Sequence, residues 1–241
     1  MHLGRLFRTS WRDIRASRRQ DIAYKRIWSA FGYYPEIADG RHDTPDWQQA
    51  PGRFAICLIR VPARLLQPSL DELRSEMSRF PFARSHPDHF LHITLQEIGF
   101  ITDTPTNADE ISTARFEEIM TGATASLADA IPFDIRLGGA NSFQDAIFLD
   151  VHDRGQCSRM HTRLRELAAV PSHPRFAYIP HCTVAHYTAE MPAPEDLAET
   201  IGRLRDRRFG SFTVYEVEVV TLDIDTPYPE LQTLSVIPLA G

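Results

Sequence analysis

Residues 90–95 read Phe-Leu-His-Ile-Thr-Leu, and residues 178–184 read Tyr-Ile-Pro-His-Cys-Thr-Val. Each segment is an apolar, strand-like run with a histidine and a threonine two positions apart, His92 with Thr94 and His181 with Thr183. Because strand side chains at i and i+2 project from the same face, each pair presents an imidazole and a hydroxyl together. Two imidazoles can act as acid and base around one reacting bond, while two hydroxyls stabilise negative charge.

The pattern of a histidine and a threonine two positions apart occurs four times among ten histidines, so its context decides what a match means. His42 and Thr44 lie in a loop rich in Gly, Asp and Pro, where local turn hydrogen bonds are common. His186 and Thr188 extend the second segment at an odd offset, which predicts that His186 faces away from His181. Since the pairs at 92 and 181 share one apolar frame, we interpret them as acting together rather than as separate structural histidines.

Composition limits the class of protein. The chain has 241 residues and is 43% hydrophobic, enough for one large core or two smaller lobes. Its three cysteines (Cys57, Cys157 and Cys182) are odd in number and lack metal-ligand spacing, which favours a reducing compartment. No apolar run approaches the length of a membrane span, and residues 1–19 lack the apolar core of a secretory signal. We expect a soluble, cytoplasmic protein.

Positive charge is concentrated at the amino terminus. Residues 1–26 carry eight Arg or Lys and two Asp, whereas the whole chain has a net charge of −6. Leu3, Phe7, Trp11 and Ile14 fall at helical spacing. We therefore expect residues 1–50 to form a basic helical extension. It either packs on the main body through this apolar stripe or contacts nucleic acid, an anionic membrane or a partner.

Several motifs that define other enzyme classes are missing from the sequence. Lys25 is the only lysine, which excludes a P-loop and disfavours a lysine-based covalent intermediate. The sequence also has no Gly-x-Ser-x-Gly elbow, no His-Glu-x-x-His and no paired Cys-x-x-Cys. Acid–base chemistry without a metal or cofactor is the remaining expectation.

Strand and helix patterns alternate along the chain. Besides the two motif strands, the patterns predict strands at 54–59, 133–137, 146–151, 211–224 and 231–238. They predict helices at 69–80, 112–130, 156–169 and 194–207. Each half thus has a strand–helix–strand unit that ends in a motif strand. This order favours an α+β fold over residues 51–241, with two pseudo-symmetric β-sheet lobes and outer helices around a central cleft.

With these motifs in place, the sequence resembles the 2H phosphoesterase superfamily, especially its RNA 2′,3′-cyclic phosphodiesterase or 2′-5′ RNA ligase-like branch. The resemblance covers residues 53–226 and rests on four segments in the family's order. These are Arg-Phe-Ala-Ile at 53–56, His-Ile-Thr-Leu at 92–95, Gly-Gly-Ala-Asn-Ser-Phe at 138–143 and Pro-His-Cys-Thr-Val at 180–184.

The resemblance implies metal-free hydrolysis of a cyclic or 2′-linked phosphodiester in a nucleotide or RNA terminus. One imidazole, of His92 or His181, would activate water while the other protonates the departing ribose oxygen. Thr94 and Thr183 would bind the nonbridging oxygens. Three aromatic side chains are expected to line the substrate: Phe143, Tyr178 and Tyr187. Two alternatives stay open, namely non-catalytic binding of a nucleotide or RNA in the same cleft and 2′-5′ RNA ligation as the reverse reaction.

Overall fold

Strands and helices alternate through most of the chain. A computed structural model describes residues 10–41, 53–168 and 177–240. The helices are α1 (Trp11–Phe31), α2 (Ser69–Met77), α3 (Thr113–Leu127), α4 (Gln156–Arg165) and α5 (Glu195–Arg203). The first six strands are β1 (Glu36–Ile37), β2 (Arg53–Arg60), β3 (Ala83–Ser85), β4 (His92–Ile101), β5 (Glu110–Ile111) and β6 (Phe133–Ser142). The last six are β7 (Ala146–His152), β8 (His181–Tyr187), β9 (Met191–Pro192), β10 (Arg208–Val214), β11 (Glu216–Leu222) and β12 (Gln232–Pro238).

The two five-stranded sheets have similar strand arrangements. The strand order is β12-β11-β2-β4-β5 in the first sheet and β10-β6-β7-β8-β3 in the second. The motif strands β4 and β8 occupy the fourth place of their sheets and contact each other. This arrangement confirms the predicted α+β fold with two β-sheet lobes.

The lobes exchange strands. β3 precedes the first motif strand in sequence but pairs with β8 of the second sheet. The single strand predicted at 211–224 is two strands, because β10 pairs with β6 whereas β11 pairs with β2. The chain therefore crosses from one lobe to the other at Tyr215, which separates β10 from β11. These exchanges tie both lobes together and bring the two motifs to one interface.

The first sheet is apolar on both faces. Along β2, Ala55, Cys57 and Ile59 belong to the main core, which also takes the apolar stripes of the helices. The alternate residues Phe54, Ile56 and Leu58 belong to a second cluster on the opposite face. Burial on both faces explains why residues 54–59 are apolar without alternation.

The helices α2 to α5 are each shorter than predicted.

Helix α1 packs through a face that the sequence did not predict. Ser10 and Asp13 form a capping box at its start. Tyr24 is 1% exposed, whereas Trp11 is 81% and Ile14 48% exposed. The expected stripe is therefore turned outward where it is described, and its members Leu3 and Phe7 lie outside the described residues.

The buried face of α1 is partly polar. The Tyr24 hydroxyl donates to the Pro180 carbonyl oxygen at 2.6 Å and accepts the Val151 N–H at 3.0 Å. The Gln20 amide donates to the Asp153 carboxylate. The buried face of α1 thus combines hydrogen bonds to the second lobe with apolar packing of Phe31 in the main core. Within the described ranges no helix combines the length and apolarity that a membrane span requires.

Candidate active site

His92 and His181 are the first residues of β4 and β8, and both rings are held in the same way. Nδ1 of His92 lies 2.6 Å from the Phe90 carbonyl oxygen, and Nδ1 of His181 lies 2.9 Å from that of Ile179. A carbonyl oxygen can only accept, so Nδ1 carries the proton in each neutral ring. Nε2 is then the nitrogen that can exchange a proton with a ligand. In both cases the acceptor lies two residues before the histidine, so the local backbone orients each ring.

A cleft of about 860 Å³ brings the two motif pairs together. Its lining includes all four predicted side chains, His92, Thr94, His181 and Thr183. The volume falls in the range typical of small-molecule sites. Among the described residues, no group of three or more His, Cys, Asp or Glu could hold a metal ion.

His181 lies among aromatic rings. Phe143 meets it edge-on at 5.1 Å between ring centroids, and Phe148 does so at 5.5 Å. Burial disfavours the imidazolium and lowers the pKa of His181 below its usual value, although the Ile179 carbonyl opposes this effect. The imidazole of His181 is therefore neutral near pH 7, with Nε2 as a proton acceptor.

Both motif strands contain a β-bulge at the same place. In β4, Thr94 pairs with Leu58 and Gln96 with Cys57, so Leu95 is the extra residue. In β8, Thr183 pairs with Phe148 and Ala185 with Ile147, so Val184 is the extra residue. Each bulge shifts the alternation of side chains by one residue.

Because of the bulges, a third residue of each strand faces the cleft, in addition to the motif histidine and threonine. Glu97 and His186 each follow their motif histidine by five positions, and both line the cleft. The expectation that His186 faces away from His181 was wrong, because it assumed strict alternation along β8. The same bulge turns Tyr187 into the core, where it is 0% exposed and its hydroxyl lies 2.7 Å from that of Ser142. Tyr187 therefore does not line the cleft, in contrast to the sequence-based expectation.

The other predicted aromatic residues do reach the cleft. Phe143 lines it and stacks on Phe148 at 4.2 Å. Tyr178 also lines it, and its hydroxyl donates to the Thr94 carbonyl oxygen at 3.0 Å. The discounted pair of His42 and Thr44 lies outside the described residues.

The sequence-based prediction missed two cleft residues on α4. His161 and Arg165 both line the cleft and stand one helical turn apart. Nδ1 of His161 donates to the Leu95 carbonyl oxygen at 2.8 Å, which anchors the ring to the bulge of β4. The spacing of four residues on one helix face was the available signal, but it does not reveal which face meets the cleft.

A family model described as the 2′-5′ RNA ligase superfamily matches residues 61–226. The chain belongs to this superfamily. The matched span contains both motif pairs and confirms the resemblance to 2H phosphoesterases. Helix α1 of this 2′-5′ RNA ligase superfamily protein lies outside that span. No curated protein matches the sequence.

Several solved structures have a fold similar to that of this 2′-5′ RNA ligase superfamily protein. TT0787 of Thermus thermophilus has a TM-score of 0.59 and 20% identity, over 78% of this chain and 98% of its own. LigT of E. coli complexed with NADP+ has a TM-score of 0.55 and 17% identity, over 78% and 99% of the two chains. LigT complexed with 3′-AMP has a TM-score of 0.56 and 14% identity, over 79% and 100%. At these identities the likeness shows a common fold.

Proposed function

We propose that this protein is a metal-independent phosphodiesterase that hydrolyses a cyclic or 2′-linked phosphodiester of a nucleotide or RNA terminus. The observation that carries the proposal is the matched pair His92 and His181, each with Nδ1 bonded to a backbone carbonyl and both in one cleft. The LigT structures with 3′-AMP and ATP support a nucleotide as the ligand class.

In the proposed reaction, Nε2 of His181 takes a proton from a water molecule. The oxygen of that water forms a bond to phosphorus at the same time. His181 is assigned as the base because its pKa is lowered by burial. Protonated His92 gives its Nε2 proton to the ribose oxygen as the bond from that oxygen to phosphorus breaks. The hydroxyls of Thr94 and Thr183 donate to the nonbridging oxygens and stabilise the charge that develops there.

The proposal is tested by hydrolysis of 2′,3′-cyclic nucleotides, and of a short RNA ending in a cyclic phosphate, by protein treated with EDTA. We expect turnover to a linear monophosphate. Nucleotide binding without turnover would favour the non-catalytic alternative. Joining of RNA ends under the same conditions would favour ligation, which uses the same residues in reverse.

The pH profile of kcat/KM tests the assignment of His181 as the base. Only the neutral imidazole can accept a proton, so activity is lost as the pH falls through the pKa of His181. Because burial lowers that pKa, the midpoint of the acidic limb is expected below about 6.5. An acidic limb with its midpoint well above that value would exclude His181 as the base.

We further propose that residues 1–50 are a basic extension to a bilobal domain at 51–241, and that α1 adds phosphate contacts to RNA. The supporting observation is that Arg12, Arg15, Arg18 and Arg19 are all exposed on α1. Such contacts release counterions and make binding salt-dependent.

Salt titrations test the role of α1. Replacing Arg15 and Arg18 together with alanine is expected to lower the slope of log K against log salt for RNA binding by about 1 per lost contact. Binding of a cyclic mononucleotide should not change. Replacement of Arg64, an exposed arginine outside α1, is the matched control. An unchanged slope in the double variant would contradict the role of α1.

We propose a cytoplasmic location, which the three cysteines support. Cys57, Cys157 and Cys182 are all buried and unpaired. Burial raises the pKa of the Cys57 and Cys182 thiols to about 12, so both stay protonated. Buried thiols without a disulfide suit a reducing compartment. Recovery of the protein in an oxidising compartment on cell fractionation would contradict this location.

A further inference from the structure

Glu97 brings a carboxylate to the cleft beside the proposed phosphate site. Thr94 pairs with Leu58 and Glu97 with Ile56, so the two residues stand two β2 positions apart. That separation is about 7 Å along the strand, which is within the span of a single nucleotide. A group attached to the ribose of a phosphodiester bound at Thr94 can therefore reach Glu97.

The carboxylate of Glu97 has no partner in the part of the chain that the structure describes. Among the described residues it makes no hydrogen bond or ion pair, although it keeps access to solvent in the cleft. Desolvation by the surrounding walls raises the pKa of Glu97. The carboxylate of Glu97 is therefore exposed in the cleft and available to a hydrogen-bond donor on a ligand.

The opposite end of the cleft differs from the Glu97 end. His186, at the equivalent position of β8, lies with Nδ1 3.1 Å from Nε2 of His86. Tyr228 stacks on the His186 ring at 6.3 Å with an interplanar angle of 14°. His186 therefore has side-chain partners, whereas the Glu97 carboxylate has none among residues 10–41, 53–168 and 177–240. The two ends of this pseudo-symmetric cleft thus have different recognition chemistry.

Two other acids line the cleft but lie in loops. Asp145 is in the turn between β6 and β7, and Asp223 directly follows β11. An Asp223 carboxylate oxygen accepts the Asp225 N–H at 2.9 Å. Glu97 is the acid that a central strand holds, so its backbone is the best positioned of the three.

A rigid aromatic pair adjoins the Glu97 end. His161 and Tyr178 stack at 3.9 Å with an interplanar angle of 8°. Both are hydrogen-bonded to carbonyl oxygens of β4, at Leu95 and Thr94. Both rings also line the cleft, where a ring face that borders it can stack on any base. Discrimination between bases then falls to a hydrogen-bonding group such as Glu97.

We infer that Glu97 selects guanine, with its two carboxylate oxygens accepting the N1–H and the exocyclic amine of a guanosine whose phosphodiester lies at Thr94 and Thr183. This inference rests on the proposed phosphodiesterase function. Guanine presents two adjacent N–H donors on its Watson–Crick edge, which matches a carboxylate. Adenine and cytosine present one amine beside a ring nitrogen that repels a carboxylate. Uracil presents one N–H between two carbonyl oxygens.

The test compares kcat/KM for the 2′,3′-cyclic phosphates of guanosine, adenosine, cytidine and uridine. Wild-type protein is expected to favour the guanosine substrate roughly 10- to 100-fold, the range of a bidentate base contact. Glu97→Gln, which replaces one acceptor by a donor, should lower kcat/KM for the guanosine substrate and so remove most of that preference. Glu117→Gln, at an exposed position of α3, is the matched control and should keep the preference.

Failure of the inference and failure of the proposed function give different results. Equal kcat/KM for all four substrates would overturn the guanine inference and leave the phosphodiesterase intact. If no substrate is turned over, the proposed function fails, and calorimetric binding of 3′-GMP and 3′-AMP then tests Glu97 alone. Tighter binding of 3′-GMP that Glu97→Gln abolishes would support selection of guanine. Equal binding of both nucleotides, or a preference that survives Glu97→Gln, would overturn it.

Discussion

Replacement of either His92 or His181 with alanine is expected to lower kcat for a 2′,3′-cyclic nucleotide by about 10²- to 10⁴-fold. Each imidazole handles a different proton of one reaction, so loss of either stops concerted transfer. The double variant should be little worse than the more damaged single variant, because residues that act as a unit have non-additive effects. Steady-state kinetics of the three variants against wild type measures these losses.

The His92 and His181 variants need a histidine control from outside the cleft. His152, on β7, is absent from the cleft lining and lies 3.3 Å from the Asp21 carboxylate of α1. His152→Ala should retain kcat per folded molecule. Nucleotide binding should survive in both His92→Ala and His181→Ala. A wild-type kcat in either variant would contradict the two-histidine mechanism.

Replacement of Tyr24 with alanine is expected to lower the free energy of unfolding by about 3–5 kcal/mol, as for other large aromatic residues in cores. Its ring is 1% exposed, and it packs at 6.5 Å from Phe148 and 5.7 Å from His152 between ring centroids. The substitution also leaves the buried Val151 N–H without its hydroxyl acceptor. Urea denaturation followed by circular dichroism measures the loss.

A second Tyr24 variant separates packing from hydrogen bonding, and a variant at Trp11 is the control. Tyr24→Phe keeps the ring and should cost only about 1–3 kcal/mol, the cost of unsatisfied buried polar groups. Trp11→Ala, on the exposed end of the same helix, should change stability by less than about 0.5 kcal/mol. A denaturation midpoint that is unchanged in Tyr24→Ala would show that α1 does not stabilise the second lobe.

Stability and catalysis are connected at Tyr24. Its hydroxyl donates to the carbonyl of Pro180, the residue that precedes His181, and the His181 ring in turn depends on the Ile179 carbonyl. The helix outside the matched family span thus supports the strand start that orients one proposed catalytic imidazole. We therefore expect folded Tyr24→Phe protein to have a lower kcat than wild type.

Much of the fold followed from local patterns in the sequence. The apolar frames around His92 and His181 predicted two strands, and the 3.6-residue patterns predicted α2 to α5. The i, i+2 spacing predicted that each histidine shares a face with its threonine, and all four side chains line one cleft. These features depend on neighbouring residues and are therefore readable from the chain.

Other features depend on contacts between distant residues. The bulges at Leu95 and Val184 exist only relative to their partner strands, and they decide that Glu97 and His186 face the cleft while Tyr187 is buried. A run such as residues 211–224 carries one continuous strand pattern, and only pairing with β6 and β2 divides it between two sheets.

The sequence by itself determined the two motif pairs, their placement on strands and the chemistry that two imidazoles and two hydroxyls can perform. Only the tertiary structure decided the outward face of α1, the strand exchange and the third residue of each motif strand, Glu97 and His186. The physical reason is that periodicity reports which side of an element is apolar. Register and burial instead depend on which distant backbone and polar groups become partners.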